Sequence, residues 1–370
     1  MIVGILGGGQ LGRMLALAGY PLGLHFRCFD PEAETCVDEL VPRVRAEYAD
    51  REALARFADG LDLVTYEFEN VPVEAARFLA GQGVPLYPPV AALEVAQDRL
   101  TEKRFLNANG VPTAAFEAVD SLDDLRAAVG RLGLPAVLKT RRLGYDGKGQ
   151  HLLRAPAELE TAWSALGGVP LILEAFVPFS RELSILAVRG RGGEVACYPL
   201  VENQHSGGLL RRSNAPAPAA SAALQAEAEA AARRVLEALD YVGVLAIELF
   251  DVDGRLVANE LAPRVHNSGH WTIEGAETSQ FENHLRAVAG LPLGSTAARG
   301  VSTMLNFIGA APTLDAVAAV PGVHVHLYDK ASRPGRKVGH VTLCASDAAA
   351  LASRLPQLLR TLAGLEGIEQ

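Results

Sequence analysis

The stretch Leu245–His270, LAIELFDVDGRLVANELAPRVHNSGH, leaves a folding chain few options. Two apolar, β-prone runs, Leu245–Phe250 and Leu256–Glu260, flank Asp251-Val252-Asp253-Gly254-Arg255, the turn signal of a β-hairpin. Each run carries one carboxylate, Glu248 or Glu260. A three-residue loop centred on Gly254 sets the two directly opposite each other, where like charges about 5 Å apart destabilise a sheet unless a cation lies between them. A two-residue Asp253-Gly254 turn sets Asn259 opposite Glu248 instead. Either register makes a hard oxygen site of the kind Mg²⁺ uses with phosphates; two solvent-facing glutamates on an ordinary hairpin are the plain alternative. The loop that follows crowds Pro263, Arg264, His266, Asn267, Ser268, Gly269 and His270 together, a density that points to a site more than to a connection.

At 370 residues the chain is too long for one ordinary core and reads as two or three domains. A net charge of −9 argues against a nucleic-acid backbone as main partner, so local basic clusters must serve small anions. Cys28, Cys36, Cys197 and Cys344 form no C-x-x-C pair and no zinc spacing, the pattern of reduced thiols in a cytoplasm. No basic leader precedes the first strand, MIVGIL, and no apolar run approaches the roughly 18 residues of a membrane span. The expectation is a soluble, unexported protein.

Ile2–Leu6 reads as a buried strand running into Gly7-Gly8-Gly9-Gln10-Leu11-Gly12 and a helix, Arg13–Ala18. Gly7, Gly9 and Gly12 satisfy G-x-G-x-x-G, and Asp30 ends the next strand where a ribose-binding acid is expected. The same turn serves any phosphate at a helix N-terminus, or no ligand at all. Leu61–Thr65 is a second buried strand, and the acids of Tyr66-Glu67-Phe68-Glu69-Asn70 fall at its carboxyl end, where open α/β sheets bind ligands. Pro85–Pro89 closes this first domain. Ser121 reads as the N-cap, and Gly133 as the stop, of a later helix. Pro135–Lys139 delivers one Lys from an apolar strand, which implies an anionic partner such as phosphate. The loop Gly144-Tyr145-Asp146-Gly147-Lys148-Gly149-Gln150 lacks the P-loop pattern but suits a phosphate cover; a hairpin turn is the alternative. Glu174 interrupts the strand Leu171–Val177. Arg181–Ile185 and Glu194–Val201 read as antiparallel strands, Pro216–Ala223 as a surface linker and Leu224–Leu239 as a helix. After about residue 295 a smaller unit begins. There His324 and His326 share a strand face without a third metal ligand. Lys330, Arg333, Arg336 and Lys337 around Pro334-Gly335 form either an anion cradle or a solvated basic loop.

GGGQLGRM (7–14), YEFEN (66–70), QDR (97–99), GYDGKGQ (144–150), RELS (181–184), NELAPRVHNSGH (259–270) and RPGRKVGH (333–340) span nearly the whole chain. Together they closely resemble the N5-carboxyaminoimidazole ribonucleotide synthetases of the ATP-grasp superfamily, bacterial and fungal purine-pathway enzymes. The resemblance implies mixed α/β and α+β architecture: an N-terminal Rossmann-like, pre-ATP-grasp domain over residues 1–95, an ATP-grasp domain over 96–295 with a lid at about 113–173, and a small β-rich C-terminal domain over 296–370. It implies ATP held by Arg99, Lys139, the flap Gly144, Tyr145, Asp146, Gly147, Lys148, Gly149 and Gln150, then Glu174, Ala175, Phe176, Val177, Glu182, His205 and Asn259. Glu248 and Glu260 would hold Mg²⁺, or Mn²⁺ in its place. Aminoimidazole ribonucleotide would touch Gln10, Leu11, Glu67, Asn267, Lys330, Arg336 and Lys337, and the Gly7–Gly12 turn would be a monophosphate site. Bicarbonate would be activated as carboxyphosphate, gripped by Arg264. His266, Tyr145, Asp146 and Lys330 are the candidates to orient the attacking amine or manage its proton. A cytoplasmic homodimer is implied, with no nucleic acid or membrane as partner.

Three other readings are weighed. A nicotinamide-dependent oxidoreductase rests on Gly7, Gly9, Gly12 and Asp30 and gives Glu248, Glu260 and the Gly144 loop nothing to do. A formate-using phosphoribosylglycinamide formyltransferase shares the ATP grip and a similar substrate cradle. A nonenzymatic nucleotide sensor would lack ATP turnover.

Overall fold

The continuous apolar runs near the N-terminus form parallel strands covered on both faces, as such runs require. In the computed structural model, which describes residues 1–144 and 147–366, the first sheet has four strands. Their order is Arg43–Val44, His25–Phe29, Ile2–Leu6 and Leu63–Tyr66. Val3, Ile5 and Cys28 face one hydrophobic cluster; Leu6, Phe29 and Val64 face another. The helix after the first strand spans Gln10–Gly19, three residues earlier than the apolar run suggested, because Gly9 serves as its N-cap. The turn Gly7–Gly9 and the acids Glu67 and Glu69 therefore leave the sheet at the same edge.

The second sheet holds nine strands among the described residues. Its path runs Arg255–Ala262, Gly243–Val252, Arg181–Arg189, Val201–Ser206, Leu209–Ala215, Val301–Ile308, Lys337–Ala345 and Val323–Leu327, with Val195–Cys197 beside Arg181–Arg189. The C-terminal strands thus extend the central sheet, through Ser213↔Met304, and share it while keeping a hydrophobic cluster of their own around Phe307, Val341 and Leu358. One face of the strands Arg181–Arg189 and Gly243–Val252, with Ile185, Leu245 and Ile247, packs under the helix Ala222–Ala238. The other, with Leu186, Val244 and Ala246, packs against Phe281 and Leu285 and against Leu11 and Leu15 of the N-terminal helix.

Local structure departs from the sequence expectation in two places. The single strand expected over Glu194–Val201 is two, Val195–Cys197 and Val201–Ser206, interrupted around Pro199, which has no N–H for the ladder. The segment after Ala215 is not wholly a surface linker, since Ala217 is buried and its N–H donates to Leu200 O at 2.6 Å.

A third sheet, antiparallel, is ordered Phe116–Val119, Leu171–Ala175, Ala136–Thr140, Gln150–Leu153 and encloses a separate cluster around Leu125, Leu138 and Leu173. Ser121 caps the helix Leu122–Leu132 by accepting from Asp124 N at 3.0 Å, and Gly133 ends it. Among the described residues no helix is long and apolar enough to cross a membrane.

The N-terminal sheet is pinned to the central one by His284. Val244 N donates to its Nδ1 at 3.1 Å, so Nε2 carries the proton and donates to Thr65 Oγ1 at 2.8 Å. Burial pushes this imidazole down to about 3. As pH falls below the ordinary value of 6.5 the unfolded chain takes up a proton that the folded chain refuses, so stability is lost progressively from about pH 6.5 towards 3. We expect the loss of stability between pH 7 and 5, read by denaturant unfolding, to shrink by on the order of 2 kcal/mol in His284→Gln. An unchanged difference would mean that this ring is not held neutral.

Candidate active site

The hairpin has features of both registers open to the sequence. Asp253 and Gly254 both take positive φ, as a two-residue turn between these strands requires. Yet Glu248 lies opposite Glu260, because the pairing shifts by one residue between Glu248 and Leu249. Asn259 is the extra residue of this bulge. Its carbonyl accepts from the buried Lys103 Nζ at 3.1 Å, and Leu261 N donates to the buried Glu102 at 2.6 Å. Its side-chain amide donates to Glu248 at 3.4 Å. Burial, then the charge of Glu260, pushes Glu248 up to about 7. Arg99 meets Glu260 at 3.0 Å.

Glu248, Asn259, Glu260 and Arg99 line one cavity of about 800 Å³. Its lining includes Arg99, Lys139, Gly144, Gly147, Lys148, Gln150, Phe176, Glu182, His205 and Asn259. Lys139 Nζ lies 3.0 Å from Glu174, which also meets Lys103 at 3.2 Å. Burial outweighs Glu174 and lowers Lys139, whereas for Glu174 the two lysines outweigh burial and lower the carboxyl. Glu174 therefore sits behind the cavity as a counter-charge and does not line it; of Glu174–Val177 only Phe176 is in the wall. His205 is hydrogen-bonded to Glu182. Burial opposes its charge, but that bond and Glu248 raise it above the ordinary imidazole value.

The same lining includes Gln10, Leu11, Glu67, Glu69, Arg264, His266, Asn267 and Lys337. Arg264 Nε donates to Glu69, and its Nη1 to Val265 O at 3.0 Å, so two of the three guanidinium nitrogens are engaged and no hydrogen bond of Nη2 is found among the described residues. Arg264 outweighs burial and holds Glu69 down to about 2. Both amide atoms of Asn267 are buried without a hydrogen-bond partner among the described residues, although the residue lines the cavity. Burial, then the charge of Arg264, pushes His266 down to about 3. Lys330 and Arg336 line an adjoining cavity of about 500 Å³ that shares Glu67, Phe68 and Asn70 with the first. Lys330 donates to Gln10.

The glycine turn is not the phosphate site that the resemblance implied. Gly8 N donates to Asp30 at 2.7 Å, and Gly9 N and Gly12 N donate to Glu67 at 2.9 and 3.2 Å. A phosphate there would meet two carboxylates. The glycines admit Glu67 itself: a Cβ on Gly9 would lie 2.6 Å from its Oε1, and Gly7 has φ +102. Asp30 is thus the anchor of the turn, which removes its resemblance to a ribose-binding acid.

Tyr145 and Asp146 lie outside the described residues. His270 faces away from the cavity, buried against Phe281 and His340. His324 is exposed, and His326 bonds Glu274 at 2.6 Å. Among the described residues no group of three His, Cys, Asp or Glu is placed to hold a metal. Sequence reasoning missed Glu102 and Lys103, which look like solvated positions of a polar helix. It also missed Phe179 and Phe250, stacked at 4.5 Å in the cavity wall, whose only signal was their apolarity.

Residues 1–97 match the ribonucleotide synthetase preATP-grasp domain, 104–281 the ATP-grasp domain, and 302–354 the phosphoribosylaminoimidazole carboxylase C-terminal domain. The N5-carboxyaminoimidazole ribonucleotide synthase of Pseudomonas aeruginosa is 57% identical over 358 residues, 97% of this chain and 98% of that one. Among solved structures, the N5-carboxyaminoimidazole ribonucleotide synthetase of Thermus thermophilus superposes with a TM-score of 0.94 at 63% identity, covering 98% of this chain and 99% of the other. The Aspergillus clavatus enzyme, solved with ADP and 5-aminoimidazole ribonucleotide, superposes at 0.89 with 32% identity and 98% coverage of both chains. The fold is thus ATP-grasp with the N- and C-terminal domains of these enzymes, and the chain belongs to the N5-carboxyaminoimidazole ribonucleotide synthase family.

Proposed function

We propose that the 800 Å³ cavity joins bicarbonate to the γ-phosphate of ATP and hands the carboxyl group to 5-aminoimidazole ribonucleotide bound beside it. The overall reaction is the ATP-dependent carboxylation that defines the family, a step of purine biosynthesis. The observation that carries this reading is that one cavity is lined by the opposed Glu248 and Glu260, by Lys139, and by Arg264, His266 and Asn267.

ATP lies along Arg99, Lys139, the Gly144–Gln150 flap, Phe176, Glu182, His205 and Asn259. Glu248 and Glu260 fit a divalent cation, Mg²⁺ or Mn²⁺: both donors are hard oxygens, and their mutual repulsion, which adds to burial in raising Glu248, would be relieved by a positive charge. A cation held by these two carboxylates would supply charge neutralisation at the phosphates. A bicarbonate oxygen forms a bond to the γ-phosphorus as the bond to ADP breaks, giving carboxyphosphate. Lys139 offsets charge at phosphorus, and the Nη2 end of Arg264 holds the new anion. The C–O bond to phosphate then breaks, and the ribonucleotide amine attacks the CO₂ released while losing a proton. Lys330 and Arg336 hold the ribonucleotide phosphate in the adjoining cavity, and Gln10, Leu11, Glu67, Asn267 and Lys337 line its path to the reacting centre. From the family resemblance we also infer a cytoplasmic homodimer, in keeping with four unpaired cysteines.

ADP release should need bicarbonate and a divalent cation and rise on adding aminoimidazole ribonucleotide; full activity in degassed, bicarbonate-free buffer, or a formate requirement with glycinamide ribonucleotide, would refute the assignment. Glu260→Ala should abolish nearly all turnover with the fold retained. Turnover within about threefold of the parent, worth under ~1 kcal/mol, would return the glutamate pair to an ordinary hairpin. Arg336→Ala removes a charge-assisted contact of roughly 1.5–3 kcal/mol, so the KM for the ribonucleotide should rise about ten- to 150-fold while ribonucleotide-independent ATP hydrolysis persists. An unaltered KM would leave Arg336 a solvated loop residue.

A further inference from the structure

Behind the cavity wall His266 is tied to four polar side chains that the mechanism has not used. Ser213 Oγ lies 2.8 Å from Asn203 Oδ1, Asn203 Nδ2 3.0 Å from Ser184 Oγ, Ser184 Oγ 2.7 Å from Ser268 Oγ, and Ser268 Oγ 2.9 Å from His266 Nδ1. All four residues are buried; three sit on adjacent strands of the central sheet and Ser268 in the turn Asn267–Gly269.

A row of hydroxyls and one amide has two self-consistent orientations, and the positions of the heavy atoms do not choose between them. The imidazole end of the row does. Ser268 N also points at Nδ1, 3.4 Å away, so Nδ1 presents a lone pair. An imidazole with a lone pair on Nδ1 carries its proton on Nε2, the nitrogen on the cavity side of the ring, 3.5 Å from Glu248. With Nδ1 an acceptor, the Ser268 hydroxyl donates to it and accepts from Ser184, which accepts from the Asn203 amide, whose oxygen accepts from Ser213. Each bond of the row then has one donor and one acceptor.

We propose that Ser184, Asn203, Ser213 and Ser268 are positioning residues that hold His266 as the neutral Nε2–H tautomer, so that it donates a hydrogen bond to the transferred carboxyl group and does not take the amine proton. The catalytic part of this proposal rests on the reaction assigned above to the cavity. A base needs a lone pair facing the amine; on His266 the lone pair faces inward and is engaged. As the amine nitrogen bonds to the carbon of CO₂, negative charge builds on the two oxygens, and an N–H already oriented stabilises it without reorganisation. The amine proton passes to the phosphate released as carboxyphosphate breaks down.

¹H–¹⁵N NMR of the full-length enzyme carrying ¹⁵N-histidine reads the tautomer without turnover, with the His266 signals assigned by their loss in His266→Gln. We expect a protonated Nε2 and a bare Nδ1; a protonated Nδ1, alone or on a doubly protonated ring, overturns the proposal. In Ser268→Ala the second tautomer should become detectable and kcat should fall about three- to tenfold, the worth of one hydrogen bond, with the KM values for ATP and the ribonucleotide within twofold. A Ser268→Ala enzyme that keeps the parent's single tautomer overturns the relay, whatever its rate. If the enzyme failed to carboxylate the ribonucleotide, the reading of the cavity would fall, and with it the catalytic role of the N–H, while the spectrum would still decide the tautomer.

Discussion

Two carboxylates set face to face on neighbouring strands would ordinarily push a hairpin apart, and much of the site is arranged around keeping Glu248 and Glu260 there. The opposition exists because Asn259 bulges out of the ladder, which leaves backbone groups without strand partners. The helix Arg99–Ala108 supplies them: Lys103 to the Asn259 carbonyl and Glu102 to the Leu261 amide. Burying a lysine and a glutamate is costly unless each is paired, so Lys103 also meets Glu174, and burial followed by the charge of Glu260 pushes Glu102 up to about 8. The bulge thus explains why a helix that looks solvated carries two buried ionisable groups.

The same economy governs the cations. Lys139 and Arg264 stand ready for anions, yet each already has a carboxylate partner, Glu174 behind one and Glu69 beside the other. A buried cation left alone would lose its proton or displace the fold, whereas one held from behind keeps its charge and presents its remaining N–H groups to the cavity. Glu69 is held far below the ordinary carboxyl range by Arg264, so the pair stays ionised throughout the neutral range.

The glycine turn at the N-terminus shows how one motif serves two physical ends. Exposed amides at a helix N-terminus attract an anion, and in a dinucleotide fold that anion is a phosphate. Here the anions are Glu67 and Asp30, supplied by the chain itself. The turn becomes a rigid mount for Gln10 and Leu11 at the cavity edge, and the cations Lys330 and Arg336 stand across from it.

Local chemistry made several features legible in the residue order. Apolar runs marked the buried strands, Ser121 and Gly133 bounded their helix, and the density of polar groups after Glu260 marked the loop that lines the cavity, since these depend on neighbours within a few residues. What depended on distant partners was not legible. The bulge at Asn259 is stabilised by a helix some 160 residues away in the chain, as the separations of 156 and 159 residues record. The fates of Glu174 and Asp30, and the inward turn of His270, were likewise decided by side chains from other elements. The continuity of one sheet across the expected C-terminal boundary rests on the pairing of Leu209–Ala215 with Val301–Ile308. Sequence order states which groups the chain owns and how each segment bends; only the packed structure decides which charges face each other, because a charge's partner and its solvation are set by whatever else is buried with it.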